Sequence, residues 1–340
     1  MTKIFLVFLV IFSLFKLNLD SKQLLHPEIS LFQQKLEIKN LDEFFIFLKQ
    51  ICSSQILLKN LKKHSSYPKF GSANNWKKVC KKLIDDSLDK KSFLKKNFKL
   101  ASIHKTSGLL TGYYEPIIEV SRTKKNDYNF PILKFNKKFI GSPRKSIISD
   151  YNENDVLLWT NNKIDLFFLQ IQGSGIGVFP DKKKIKILYS GNNGKEYSSI
   201  GKLLVERDLI KKKNVSLFSI KEYLRNNKNQ IDGIFNHNER YIFFDVKEYN
   251  KKSAYGALGI NLRPGTSIAI DKKYYPLGLP FLAQTINNGR VFLGIASDTG
   301  SAIIGPNRAD LFTGRGKMAE KKAGDLKKKL ILHVLVPYSN

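Results

Sequence analysis

The feature that most constrains this chain's fold is a change of texture near residue 101. From there to the C-terminus, short apolar runs alternate with clusters of Gly, Pro and Asn. Such runs suit strands joined by tight turns. The spacing predicts strands over Leu109–Val120, Asp165–Gln172, Lys184–Ser190, Tyr241–Phe244, Thr266–Ile270, Phe281–Ile286, Val291–Ala296 and Ile331–Val336. A helical interlude falls at Ser199–Arg207 and Ser219–Asn226, where Ser219 followed by Glu222 reads as a capping box. Many short strands with Gly-rich connections imply barrel-like β domains.

The region before this boundary is different. Between Lys22 and Phe98, Trp76, Val79, Cys80, Leu83, Ile84 and Leu88 recur mostly at three- and four-residue steps with lysines between them. That is the pattern of an amphipathic helix whose apolar stripe packs on a core. The fold class is therefore mainly β with N-terminal helices, in a chain of 340 residues that is long enough for two domains. At the extreme N-terminus, Lys3 precedes an apolar run from Ile4 to Phe15, short for a membrane span but suited to the core of a signal segment. No Ala-x-Ala pattern follows it. Export is expected, with residues 1–20 either cleaved or kept as an anchor.

Charge narrows the partners only a little. The chain holds 58 Lys plus Arg against 29 Asp plus Glu, a net charge of +29. That field attracts polyanions, whether nucleic acid, anionic lipid or acidic glycopeptide. No nucleic-acid-binding motif accompanies it, and the excess of Lys over Arg, with many Asn and Ile, also fits a coding bias. Cys52 and Cys80, 28 residues apart, suit one disulfide in an oxidising compartment or a pair of buried thiols. No His/Cys cluster has metal-ligand spacing, so neither a metal nor a cofactor is expected.

Chemistry concentrates in Ser297–Phe312. Asp298 and Asp310, twelve residues apart, flank a glycine-containing turn after an apolar strand, and Asp271 ends another predicted strand. Converging carboxylates raise one another's pKa, as a general acid requires; aspartates in turns also commonly bond turn amides. Asp298-Thr299-Gly300-Ser301 has the look of an aspartic protease loop, but that chemistry needs two such aspartates sharing a proton, and no second Asp-Thr-Gly or Asp-Ser-Gly exists. Three further clusters hold amides and aromatics of the kind that line sugar grooves: Thr111–Pro116 with its paired tyrosines, Leu169–Gly175 with Gln170 and Gln172 on one face of a predicted strand, and Gly191–Tyr197. Gly173-Ser174-Gly175-Ile176-Gly177 leads into a charged stretch and no helix, which disfavours a dinucleotide loop.

Taken in order, Thr111–Pro116, Gln170–Gly175, Asn193–Gly201, Gly256–Gly259, Ser267–Asp271 with Pro276–Gly278, and Asp298–Phe312 resemble the membrane-bound lytic murein transglycosylase A family, over roughly Asn75 to Pro337. The resemblance implies a double-psi β-barrel carrying Asp271, Asp298 and Asp310, with a second β domain inserted at 121–252 and a groove between the two. It divides the chain into residues 21–120, holding the helices and the start of the barrel, the insert, and residues 253–340, completing the barrel. It implies that Asp310 is the catalytic acid and Asp298 its support, and that Thr111, Tyr113, Gln170, Gln172, Ser174 and Asp271 serve substrate binding. The implied partner is the glycan strand of peptidoglycan, within a possible outer-membrane or cell-wall complex, and the implied location is the periplasm. Many members carry a lipid-modified cysteine after the signal segment; none stands there in this chain. Two rival readings stay open: an aspartic-type protease centred on Asp298, and a basic glycan-binding module without catalysis.

Overall fold

The computed structural model describes residues 26–27, 38–64, 69–83, 89–103, 107–125, 127–252, 254–286 and 290–339. The apolar run at Ile4–Phe15, with the residue 1–20 segment, lies outside them, as do Ile84 and Leu88. No helix among the described residues is long and apolar enough to cross a membrane.

A short strand, β1 (His26–Pro27), precedes four helices, α1 (Leu41–Ser53), α2 (Ile56–Lys63), α3 (Ala73–Lys82) and α4 (Lys90–Asn97). Their apolar faces bury Phe44, Phe47, Leu48, Ile51, Trp76 and Phe93 in one core with the strands of the C-terminal half. Asn40, just before α1, fixes that packing: its side chain donates to the carbonyls of Gly265 and Leu293 and accepts from the Leu293 amide. Cys52 of α1 and Cys80 of α3 form a disulfide, which resolves the two readings of that pair.

The first sheet is built from β2 (Phe98–Ser102) and β3 (Gly108–Glu115). The chain then leaves it for β4 (Ile117–Ser121), β5 (Phe130–Leu133), α5 (Arg144–Asp150), β6 (Val156–Thr160), α6 (Lys163–Gln172), β7 (Gly175–Val178), β8 (Lys184–Asn192), α7 (Ile200–Glu206), α8 (Leu217–Asn226), α9 (Ile231–His237) and β9 (Ile242–Glu248). It returns through β10 (Ser267–Ala269), β11 (Pro280–Thr285), β12 (Val291–Asp298), β13 (Arg308–Arg315), α10 (Gly316–Asp325) and β14 (Lys327–Pro337). Strands β14, β11, β12, β10, β13 and β3 pair in that order, and β3 pairs again with β14, closing a six-stranded barrel. Most of its ladders are antiparallel, but β10–β12 and β13–β3 are parallel. Strands β4 to β9 make a separate six-stranded sheet in the order β5-β6-β4-β7-β8-β9. A bridge between Lys134 and Phe244 brings its two edges together. The molecule is thus mainly β with helices.

Pro116 marks the junction. It lacks an amide hydrogen and so cannot continue the β3 ladder, and its carbonyl instead accepts from the Ile176 amide at the start of β7. The expected single strand Leu109–Val120 is accordingly two, one in each sheet.

Three local expectations are corrected. Asp165–Gln172 is helical: Asn162 caps α6 by accepting from the amides of Ile164 and Asp165, and Gly173, at φ 82°, ends it in the left-handed region that glycine adopts freely. The apolar run Leu166-Phe167-Phe168-Leu169 suited either structure, and the caps decide it. Helix α8 starts earlier than Ser219; Ser216 is its cap, and Ser219 is the reciprocal partner of the box. The stretch around Asp310, placed at the flank of a turn and given no strand by its spacing, is strand β13.

Candidate active site

Strand β13 carries the central carboxylate. Asp310 stands beside Thr111 in the parallel β3–β13 ladder, and the Thr111 hydroxyl donates to its Oδ1 at 2.6 Å. Arg308, two residues earlier on the same strand, donates from Nη2 to Thr111 Oγ1 at 2.8 Å. Oδ2 of Asp310 has no hydrogen-bond partner among the described residues. Burial pushes the Asp310 carboxyl up to about 6; the Thr111 hydrogen bond and the Arg308 charge pull against that rise, and the negative charge of Asp298 adds to it. The ordinary value is about 3.9.

Asp298 ends β12 and is held differently. Oδ1 accepts from the amides of Ala257 at 3.0 Å and Thr299 at 2.9 Å, and Oδ2 accepts from the Tyr113 hydroxyl at 3.0 Å. Burial still raises its pKa, against the pull of these three donors. Burial, with Asp298 beside it, likewise holds Tyr113 well above the usual phenol value, so its hydroxyl stays a donor. Gly256 makes the Ala257 contact possible: a Cβ there would lie 2.2 Å from the Ser297 carbonyl oxygen, which no side chain tolerates. The Asp-Thr-Gly sequence is therefore an aspartate bound to amides, next to an aspartate of unlike surroundings. The symmetric sharing that a protease dyad requires is absent from this pair.

The other candidate residues are distributed more widely. Both oxygens of Asp271 accept backbone amides, Oδ1 from Lys273 at 3.0 Å and Oδ2 from Gly305 at 2.8 Å. It clasps the loop between β12 and β13 to the turn after β10, and the upward influence on Asp310 comes from Asp298 without it. Gln170 and Gln172 point apart, as residues two positions apart on a helix must. Gln170 is 3% exposed and accepts from Arg144 Nη1 inside the second sheet's domain. Gln172 reaches the junction, where its Oε1 accepts from the Tyr114 amide at 3.0 Å. Ser174 is half-buried in the bend between α6 and β7.

Two charge clusters join the barrel to the second domain, and the sequence offered no signal for either because their members lie far apart in the chain. Glu115, the last residue of β3, is 1% exposed and pairs with Lys186 of β8 at 3.0 Å and with Arg315 of β13 at 3.3 Å. Lys186 also donates to the Lys252 carbonyl. Lys221 of α8 pairs with Glu320 of α10 at 2.6 Å and with Asp165 at 3.1 Å. Helix α10 lies close over β3 because Gly112 has no side chain; a Cβ there would be 2.8 Å from Ala323 Cα. These contacts hold Thr111 and Tyr113 on one side of the junction and Gln172 on the other.

Comparison with known proteins agrees with this architecture. Residues 142–245 match the family model described as the MltA specific insert domain, and residues 266–336 match the 3D domain. A membrane-bound lytic murein transglycosylase A from Vibrio cholerae is 32% identical over 233 residues, 64% of this chain and 62% of that protein. A homolog of the same protein from Buchnera aphidicola is 31% identical over 231 residues, 63% of this chain and 62% of that one. The chain thus spans about 62% of the length of these curated relatives. Among solved structures, the membrane-bound lytic murein transglycosylase of Agrobacterium tumefaciens superposes with a TM-score of 0.72 at 24% identity, over 88% of this chain and 95% of that one. Escherichia coli MltA with bound chitohexaose superposes with a TM-score of 0.70 at 23% identity, over 88% and 90%. The insert model and the 3D model fall in sequence order on the second sheet and on the returning strands of the barrel, and the chain belongs to the MltA family.

Proposed function

We propose that this protein is a peptidoglycan lytic transglycosylase. It cleaves the β-1,4 bond between N-acetylmuramic acid and N-acetylglucosamine and leaves a 1,6-anhydromuramoyl end. The observation that carries this reading is Asp310, whose carboxyl is raised to about 6 and keeps one oxygen without a partner among the described residues. A group titrating there is protonated often enough to act as an acid near neutrality and, once ionised, serves as a base.

The reaction needs one such group. Asp310 Oδ2, protonated, gives its proton to the glycosidic oxygen as the bond to the muramoyl anomeric carbon breaks. The muramoyl 6-hydroxyl oxygen then bonds to that carbon, and its proton passes to the Asp310 carboxylate. The acid form is restored and no water is consumed. Hydrolytic glycosidases instead pair an acid with a second carboxylate that activates water or attacks the sugar. Asp298 is a poor second carboxylate because two amides and a phenol already occupy its oxygens. Its role on this reading is to anchor Tyr113 and to lift the pKa of Asp310.

The closed six-stranded barrel supports a double-psi assignment, with 121–252 as the inserted domain and 253–340 completing the barrel. Thr111 and Tyr113 would face Gln172 and Ser174 across the groove, while Gln170 and Asp271 support its walls. Export to the periplasm suits such a substrate. Asp310→Asn should abolish release of soluble fragments from purified sacculi; wild-type rates in that variant would refute the assignment.

A further inference from the structure

The second domain has a concave face that the proposed chemistry does not use. It lies where β4, β7 and β9 end and is lined by Arg122, Lys125, Lys182, Lys183, Lys184 and Lys247. Asp181 and Glu248 also line it, and Asp181 is taken up by Lys183 at 3.1 Å. Six cations against two anions leave a strongly positive hollow.

Two features distinguish it from a merely lysine-rich surface. The cations are ordered by aromatic walls: the Arg122 guanidinium lies 4.9 Å from the Phe179 ring, and Lys184 Nζ lies 5.4 Å from the Tyr249 ring. Lys182 sits at φ 67° in the β7–β8 turn, where glycine or asparagine is the usual occupant. A lysine there has a conformational cost that glycine would avoid.

Position supplies the ligand. Strands β4 and β7 run in parallel from the junction at Pro116 to this hollow, one strand length or about 15 Å away. Tyr249 connects the two places, since its hydroxyl lies 3.4 Å from Nη1 of Arg315, the residue that ends β13 and pairs with Glu115. From Asp310 to Arg315 is again about 16 Å along β13. Laid end to end the two legs exceed the 13–18 Å that an extended peptide of about four or five residues spans, so the peptide that reaches the hollow hangs from a muramoyl unit at the junction and not from the one at Asp310. Murein carries peptides of that length, rich in carboxylates, on its muramoyl units.

We propose that this hollow is an accessory site for the acidic peptide branch of the murein strand whose glycan lies in the groove. The inference rests on the transglycosylase reading for its choice of ligand but is tested apart from it. The probe is the free, fluorescently labelled murein tetrapeptide, titrated against the full chain at low salt. Lys182→Glu/Lys184→Glu/Lys247→Glu should weaken its binding about tenfold. Lys211→Glu/Lys212→Glu/Lys213→Glu makes the same change of net charge on an exposed stretch before α8. That control should stay within about twofold of wild type, since it shares only the long-range field. On sacculi the first variant should raise KM about tenfold with kcat unchanged, and on strands stripped of peptide by an amidase it should match wild type.

Equal weakening in both variants, or no binding by wild type, overturns the proposal. So does capture by anionic vesicles through these lysines without peptide binding, which would assign the hollow to a membrane surface. Peptide binding that depends on the hollow, together with intact sacculi, would leave the site standing and remove the catalytic reading.

Discussion

Thr111 and Asp310 stand side by side in the parallel β3–β13 ladder, and the threonine hydroxyl donates to the carboxylate at 2.6 Å. This bond favours the ionised form and so opposes the burial that raises the carboxyl to about 6. Thr111→Val keeps the shape and removes the donor. The Asp310 pKa should then rise further, and the alkaline limb of kcat/KM on murein should move up by as much as about one pH unit. A downward shift would mean that the hydroxyl does not stabilise the carboxylate.

Asp298 acts in the opposite direction, since its charge lifts the pKa of Asp310. Asp298→Asn retains an oxygen that can accept from Ala257 and Thr299 but removes the charge. The same alkaline limb should therefore move to lower pH. An unmoved limb, with activity simply scaled down, would restrict Asp298 to holding the loop.

Stability should carry the imprint of Asp310 as well. Its folded-state pKa is about 6, above the unfolded value of about 3.9. Below pH 4 both states are protonated and there is no penalty. Between pH 4 and 6 the unfolded chain ionises first, so stability falls as pH rises; above 6 the penalty is constant. Allowing for partial exposure, it amounts to about 1–2 kcal/mol. Asp310→Asn should be more stable than wild type by that amount in urea unfolding at pH 8 and equal to it at pH 3.5. Equal stability at both would place Asp310 in a solvent-like setting.

The Glu115–Lys186–Arg315 cluster ties the barrel to the second domain, with Glu115 and Lys186 buried and Arg315 partly exposed. Lys186→Met leaves Glu115 with one partner and should cost about 3–5 kcal/mol. Denaturation followed by circular dichroism would measure it. A loss below 1 kcal/mol would show that Arg315 alone satisfies the carboxylate.

How much of this was readable in the sequence depended on whether the deciding contacts were local. Lys184–Ser190, Phe281–Ile286 and Val291–Ala296 were legible as strands because they are apolar, short and closely bounded by turn residues. Strand β13 was not, because Arg308-Ala309-Asp310-Leu311 lacks a strong apolar pattern and is held by pairing with β3, 199 positions away. Helix α6 reads as a strand because Leu166–Leu169 is apolar on every side, and its helical start is marked by the Asn162 cap. The sequence sets Asp298 and Asp310 close together, but that Asp298 is bound by amides while one Asp310 oxygen has no partner among the described residues depends on Gly256 and Thr111, brought in from elsewhere in the chain. The interdomain ion pairs had no local trace at all.

The central claim, that Asp310 alone transfers the proton both ways without water, is tested most directly by digesting purified sacculi in 18O-water and analysing the fragments by mass spectrometry. The expected result is 1,6-anhydromuramoyl ends that contain no 18O, formed by the wild-type protein and lost in Asp310→Asn. Reducing ends labelled with 18O, or anhydro ends formed at wild-type rates by Asp310→Asn, would contradict it.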